Sequence, residues 1–191
     1  MILLSALVMG LAVGLGWSRW RGQPYQARAL KVKWLVLVAF LPQLVIAYLP
    51  VFHTLLPDWL AAISISASLM VFLAFVLINR KLPGMPILMI GLVLNLIVIL
   101  ANHGWMPISP QTASHLPGGS DLQSYNVGRR FGEKDILLNP QDIHFEILSD
   151  RFLLPDWFSY KVAFSLGDIL IALGVFWLLV KPANQTEGQR S

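Results

Sequence analysis

Long apolar runs alternate with short polar connections along most of the chain. Five of these runs approach the roughly 20 residues that an α-helix needs to cross the hydrocarbon core of a bilayer. They are residues 2–17, 34–49, 59–78, 86–102 and 162–180. No Asp, Glu, Lys or Arg occurs in residues 1–18, 34–57, 59–79 or 82–120. The pattern therefore predicts an all-α integral membrane protein, a bundle of five transmembrane helices.

The composition excludes a soluble globular domain. Of the 191 residues, 56% are hydrophobic and 13% are charged, whereas about a quarter of the residues in soluble domains are charged. The chain contains no cysteine. Disulfides, thiolate metal sites, iron-sulfur clusters and cysteine nucleophiles are therefore excluded together.

Charge predicts the orientation of the bundle. Basic residues concentrate between the first two apolar runs, at Arg19, Arg21, Arg28, Lys31 and Lys33. The positive-inside rule places this cluster in the cytoplasm, with the N-terminus outside and the C-terminus inside. All seven tryptophans then fall at predicted helix ends, where indole rings prefer the headgroup boundary. The net charge of +4 thus reflects orientation, and we expect no nucleic-acid partner.

The same topology divides the chain into four parts. Residues 1–102 form a four-helix region, 103–161 an external segment, 162–180 the fifth helix and 181–191 a cytoplasmic tail. The second half of the external segment is too apolar to remain in water, so we expect it to pack on the membrane, the bundle or a partner. Its residues 143–148 suit either a short strand or an interfacial helix.

Small residues four apart mark predicted helix contacts. The pairs are Gly10 with Gly14, Ser64 with Ser68, and Ala163 with Gly167. Such spacing lets helix backbones approach closely, either inside the bundle or against another subunit.

Asp168 is the one ionisable residue within the five predicted spans. Intramembrane carboxylates are rare and usually face the bundle interior or a water-filled cavity. One interpretation is a structural polar site, in which Asp168 is hydrogen-bonded to Asn95, Asn102 or Ser165. The other interpretation is that Asp168 forms a proton or cation site, or is one of a catalytic pair of carboxylates.

The remaining candidates for chemistry are histidines and the basic cluster. His53 and His103 end the second and fourth predicted helices on the outer side, and they form the candidate pair for a cofactor; the alternative is a pair of polar interface residues. We predict no metal site and no cofactor bound by this chain alone. The basic cluster at 19–33 either holds an anionic lipid head group or a partner's acids, or only sets orientation.

Two motifs resemble a known family. The sequences ANHGWMP at 101–107 and ILSDR at 147–151, the latter continuing through FSLGDILIALG at 164–174, resemble an uncharacterised family of small bacterial multi-pass membrane proteins that carries a domain-of-unknown-function label. The resemblance implies a location in the bacterial plasma membrane. It implies no activity.

A second resemblance is local. Residues 164–168 are similar to the segment that bears the second catalytic Asp of lipoprotein signal peptidases, and Asp150 stands near the place of the first. This similarity implies that Asp150 and Asp168 share a proton and activate water. The chain departs from that family at Leu166 and Gly167 or their neighbours, where the family has Asn and Ala. It also departs in placing Asp150 in a loop that holds Arg151, and in having five predicted spans instead of four.

Taken together, the pattern favours a non-catalytic accessory subunit of a larger bacterial membrane complex, such as a respiratory or photosynthetic one. We expect it to dock on other integral membrane subunits through its external segment and its small-residue helix faces. The alternative function is a membrane-embedded hydrolase, or an ion or small-molecule site built around Asp168.

Overall fold

Most of the described chain is helical. The structure, a computed structural model, describes residues 2–48, 57–119, 127–132, 134–155, 157–158 and 160–181. The helices are α1 (Ile2–Trp20), α2 (Trp34–Tyr48), α3 (Asp58–Ile78), α4 (Met85–Ala101), the single turn α5 (Pro110–Ala113) and α6 (Leu166–Val180).

Two helices are long and apolar enough to cross a membrane, namely α1 with 19 residues and α3 with 21. Helices α4 and α6 are apolar but shorter. Helix α6 begins four residues later than the predicted span 162–180, because Ser165 caps it. The Ser165 hydroxyl accepts a hydrogen bond from the Asp168 amide, which fixes the first turn at that point.

The all-α prediction missed five short strands in the segment between α4 and α6. They are β1 (Met106–Ile108), β2 (Arg130–Phe131), β3 (Asp135–Leu137), β4 (Phe152–Leu153) and β5 (Ala163–Phe164). Strands β1, β3 and β2 form one sheet in that order, with β1 parallel and β2 antiparallel to β3. Strands β4 and β5 form an antiparallel pair. Strands of two or three residues are stabilised by their partners, so local periodicity does not reveal them.

Residues 143–148 form neither the strand nor the interfacial helix that the pattern allowed. One single-turn 3-10 helix, Pro140–Asp142, precedes the segment, and a second, Glu146–Leu148, ends it. Phe145, between them, has a left-handed backbone with φ of 60°. This conformation turns the chain sharply and prevents a continuous helix or strand.

Helices α4 and α6 meet along a seam of glycines. A Cβ atom added at Gly91 would lie 2.6 Å from the carbonyl oxygen of Gly167, and one added at Gly174 would lie 2.8 Å from that of Gly84. The two contacts are seven residues apart on each side of the seam, as expected for antiparallel helices in close contact. The backbones therefore touch directly, without side chains between them.

The other small residues also face neighbours within the chain. Gly10 and Gly14 of α1 approach Phe176 and Leu179 of α6. The Ser68 hydroxyl donates a hydrogen bond to the carbonyl of Ala39 in α2. Ala163 lies in β5, so its pair with Gly167 is not a helix motif. Gly10, Gly14 and Ser68 thus pack inside the chain, whereas the Ser64 hydroxyl donates to the Leu60 carbonyl of its own helix. Docking of other subunits on small-residue helix faces stays a prediction.

Candidate functional site

Four charged residues from three parts of the chain meet where α4 and α6 adjoin the three-stranded sheet. We call Lys134, Asp135, Asp150 and Asp168 the charge cluster. Lys134 immediately precedes β3 and Asp135 is its first residue. Asp150 follows the second 3-10 helix, and Asp168 lies in the first turn of α6.

Strand β1 positions two members of the charge cluster. It follows α4 after four residues, so its place is tied to the end of that helix. The Met106 amide donates a hydrogen bond to the Lys134 carbonyl at 3.0 Å, and the Asp150 amide donates one to the Pro107 carbonyl at 3.2 Å. Backbone pairing thus brings residues 134 and 150 to the same end of the bundle.

The Lys134 ammonium lies between two carboxylates. Its Nζ atom is 2.8 Å from Oδ2 of Asp150 and 3.7 Å from Oδ2 of Asp168. The Asp150 side chain is 1% exposed, whereas that of Lys134 is 43% exposed. Lys134 therefore connects a buried carboxylate with one at the start of α6, and part of its side chain contacts solvent.

Asp168 is held by α4 as well as by its own helix cap. The Asn95 side-chain amide donates a hydrogen bond to Asp168 Oδ1 at 2.8 Å. The Asn95 Oδ1 atom accepts one from the Ser165 hydroxyl at 2.9 Å, and the Ser165 amide donates to Asp168 Oδ2 at 3.3 Å. The polar groups of these three side chains are thus joined in one network that docks α6 on α4.

Burial and charge shift the pKa values of the cluster. Burial raises the pKa of Asp135 to about 8, although the Lys134 charge acts in the opposite direction. Burial also raises the pKa of Asp150, which is hydrogen-bonded to Asp135. Burial alone would lower the pKa of Lys134, but the charge of Asp150, followed by those of Asp168 and Asp135, raises it well above its ordinary value. At neutral pH, Asp135 therefore carries a proton and Lys134 is charged.

Two buried acceptor atoms in the cluster have no hydrogen-bond donor. Oδ1 of Asp135 and Oδ1 of Asp150 accept no hydrogen bond from the described residues. A buried acceptor without a donor costs about 1 to 3 kcal/mol. Asp135 also lines a cavity and can therefore accept a hydrogen bond from a bound molecule, whereas Asp150 does not line it.

A cavity of about 610 Å³ opens onto the charge cluster. Its polar end is lined by Lys134, Asp135, Lys161, Asp168 and Asn95. Apolar side chains of α1, α2, α3, α4 and α6 line the rest, among them Leu3, Phe40, Leu69, Leu92 and Ile171. This volume lies within the range of about 300 to 1,000 Å³ that is typical of small-molecule sites. Apolar walls with one polar end are suited to an amphiphilic molecule.

The structure brings some of the sequence candidates together and separates others. Asp168, Asn95 and Ser165 form one network. Asn102 lies elsewhere, where its side chain is hydrogen-bonded to the backbone of His144. His103 adjoins the end of α4, and the proposed pair with His53 involves a residue outside the described part of the chain.

The two candidate catalytic carboxylates, Asp150 and Asp168, both contact the ammonium group of Lys134. The carboxyl group to which Asp150 is hydrogen-bonded is that of Asp135. Sequence reasoning missed both Lys134 and Asp135. The one local signal was a charged pair directly before the apolar run Ile136, Leu137, Leu138. Within the described ranges, no three His, Asp or Glu side chains are grouped to hold a metal ion.

Comparison with known proteins places the chain in a family. The model of a family of unknown function, DUF5317, matches residues 28–180. An uncharacterised protein of Thermotoga maritima is 33% identical over 122 residues, which cover 63% of this chain and 65% of the relative. The chain thus spans somewhat less than two thirds of that relative's length. No solved structure matches it significantly. The resemblance to an uncharacterised family is confirmed, and the chain belongs to the DUF5317 family.

Proposed function

We propose that this chain is a multi-pass protein of the bacterial plasma membrane that binds an amphiphilic small molecule between its helices. The observation that carries the proposal is the cavity of about 610 Å³, whose apolar walls end at the charge cluster. An apolar tail would occupy the space between the helices, and a polar head would lie beside Lys134, Asp135 and Asp168. Burial of the tail supplies most of the affinity, and the polar end supplies orientation.

The chemistry of the polar end favours a head group that donates hydrogen bonds. Asp135 lines this end, and its buried Oδ1 atom accepts no hydrogen bond from the described residues. An amine or a hydroxyl head group can donate to this acceptor, whereas a carboxylate head has no proton to donate.

Ligand retention tests the proposal. The purified chain in lipid nanodiscs is mixed with dodecylamine, dodecanol or dodecanoate, and retained complexes are counted by native mass spectrometry. We expect one-to-one retention of dodecylamine and dodecanol, which donate hydrogen bonds, and weaker retention of dodecanoate. Retention should fall in Asp168→Asn, which removes a charge at the polar end, and in Ala39→Phe, which fills part of the cavity. Equal retention of all three compounds, or retention unchanged in both variants, would contradict the proposal.

The multi-pass topology is part of the same proposal, with five crossings, the N-terminus outside and the C-terminus inside. Six of the seven tryptophans are exposed on the protein surface, and the exception is Trp105 at 5%. Five of these exposed indoles lie within three residues of a helix end, which supports contact with a headgroup boundary, and Trp157 lies in the external segment. Because the chain lacks cysteine, single variants can be labelled with an impermeant reagent. Labelling of Ser124→Cys only after lysis, or of Gln26→Cys in intact cells, would reject this orientation.

An accessory role in a larger membrane complex is the second candidate. It is favoured by apolar side chains that the external segment leaves exposed, including Ile147 at 64% and Trp157 at 78%, with Phe145, Phe158 and Tyr160 beside them in sequence. Large exposed apolar groups are typical of docking surfaces. Purification in mild detergent tests this role. Migration as a lone 21.3 kDa chain at several protein concentrations would exclude it.

A further inference from the structure

The loop between α1 and α2 is fixed across the ends of two other helices, remote from the charge cluster. The Tyr25 hydroxyl donates a hydrogen bond to the Leu179 carbonyl at 2.9 Å, and Arg28 Nε donates to the Lys181 carbonyl at 3.0 Å. Both contacts lie at the C-terminal end of α6. The loop is therefore held against the bundle at this end.

Asn79, at the end of α3, holds the next part of the same loop. Its side chain is buried and pairs with the backbone of Lys31 in both directions. Oδ1 of Asn79 accepts from the Lys31 amide at 2.9 Å, and its Nδ2 donates to the Lys31 carbonyl at 3.1 Å. A third bond joins Nδ2 to the Phe75 carbonyl at 2.9 Å. This pairing places Lys31 beside Arg80 and Lys81.

These three cations line a second cavity of about 310 Å³. Its other walls are mostly apolar and include Leu77, Ile78 and Leu82. In the described part of the chain, no carboxylate forms an ion pair with Lys31, Arg80 or Lys81. The first acidic residue of the whole chain is Asp58, which begins α3 at the opposite end of that helix. The cavity thus combines three cationic side chains with an apolar wall.

We propose that this second cavity binds a phosphate-bearing head group, with anionic lipid of the inner leaflet as its source. Arginine and lysine are the side chains that bind phosphate oxygens most strongly. Charge that only sets membrane orientation needs no fixed position, whereas here Asn79 holds the backbone of Lys31 beside Arg80 and Lys81. The apolar wall suits the carbons that adjoin a lipid phosphate. This inference is independent of the amphiphile proposed for the first cavity.

Lipid retention by the full chain tests the inference. The protein in detergent is titrated with phosphatidylglycerol or phosphatidylcholine, and bound lipid is counted by native mass spectrometry. The test variant is Arg80→Gln/Lys81→Gln, and the control, Arg19→Gln/Arg21→Gln, removes the same charge from positions outside the cavity. We expect the test variant to weaken phosphatidylglycerol binding by about tenfold or more, from the loss of two cationic contacts, and the control to change it less than threefold.

Two further experiments identify the source of the phosphate and the role of the loop that Asn79 holds. If inorganic pyrophosphate binds with the same dependence on Arg80 and Lys81 while phosphatidylglycerol does not, the phosphate comes from a soluble molecule and the lipid source is rejected. Asn79→Ala keeps every charge and should still weaken binding, because the backbone of Lys31 is no longer held beside Arg80 and Lys81. If the double variant does not fold, Lys31→Gln replaces it as the test variant for lipid binding. Equal losses in the test and control variants would reject a specific site.

Discussion

Replacement of Lys134 by methionine removes the ammonium group that contacts both Asp150 and Asp168. The side chain keeps a similar length, so the main change is the loss of charge between two carboxylates. A fully buried ion pair costs about 3 to 5 kcal/mol when one partner is removed, and an exposed pair costs at most about 1 kcal/mol. Asp150 is 1% exposed and Lys134 is 43% exposed. Because solvent screens the partly exposed Lys134, we expect Lys134→Met to lower the free energy of unfolding by about 2 kcal/mol, a value between these limits.

Thermal unfolding in detergent at pH 7 measures this effect. A loss of about 2 kcal/mol lowers the Tm of a chain of this length by roughly 4 to 8 °C. The matched control is Lys33→Met, because Lys33 is exposed on the other end of the bundle. The double variant Lys134→Met/Asp150→Asn should recover part of the loss, since it removes the uncompensated buried charge. A Tm for Lys134→Met equal to that of the control would refute the assigned role of Lys134.

The remaining predictions concern three other positions. Asp168→Asn keeps a hydrogen-bonding side chain and should fold normally, whereas Asp168→Leu leaves Asn95 without its acceptor and should lower stability by about 1 to 3 kcal/mol in the same assay. The pKa of Asp135 is about 8 when folded and 3.8 ordinarily, so the folded chain binds an extra proton between these values. Stability should therefore fall by up to about 1.4 kcal/mol per pH unit as pH rises through this window, and Asp135→Asn should flatten that slope, as thermal unfolding at several pH values can show. Gly91→Ala places a methyl group against backbone of α6 and should cost about 1 to 3 kcal/mol. Gly16→Ala has nothing within 4 Å and serves as its control.

The helices were predictable because their signal is long and local. Runs of apolar residues indicated the five long helices of the described chain to within a few residues. Asp168 was predictable as a candidate because a carboxylate in such a run is costly. The start of α6 was misplaced because apolar Val162, Ala163 and Phe164 precede the cap. Hydropathy does not distinguish an apolar strand from the first turn of an apolar helix.

The charge cluster was only half predictable, because its other half depends on pairing between distant segments. Lys134 and Asp135 reach the site through the parallel pairing of β1 with β3, in which Met106 aligns with Asp135. Strands of two or three residues have too little periodicity to indicate such a register. Asp150 was predicted as a candidate only through the resemblance to lipoprotein signal peptidases. Its contacts with Lys134 and Asp135 come from the tertiary fold.

The network around Asn95 has a consequence for biogenesis. Asn95 and Asp168 are 73 residues apart, and the second of them lies in the last helix of the described chain. Chains emerge from the ribosome N-terminus first, so α4 precedes its polar partner by the whole external segment. Until α6 arrives, the Asn95 amide lacks the carboxylate that satisfies it, and Lys134 lacks one of its two anions. Arrival of the last helix therefore completes the polar network, and a chain truncated before Leu166 would leave these groups unsatisfied.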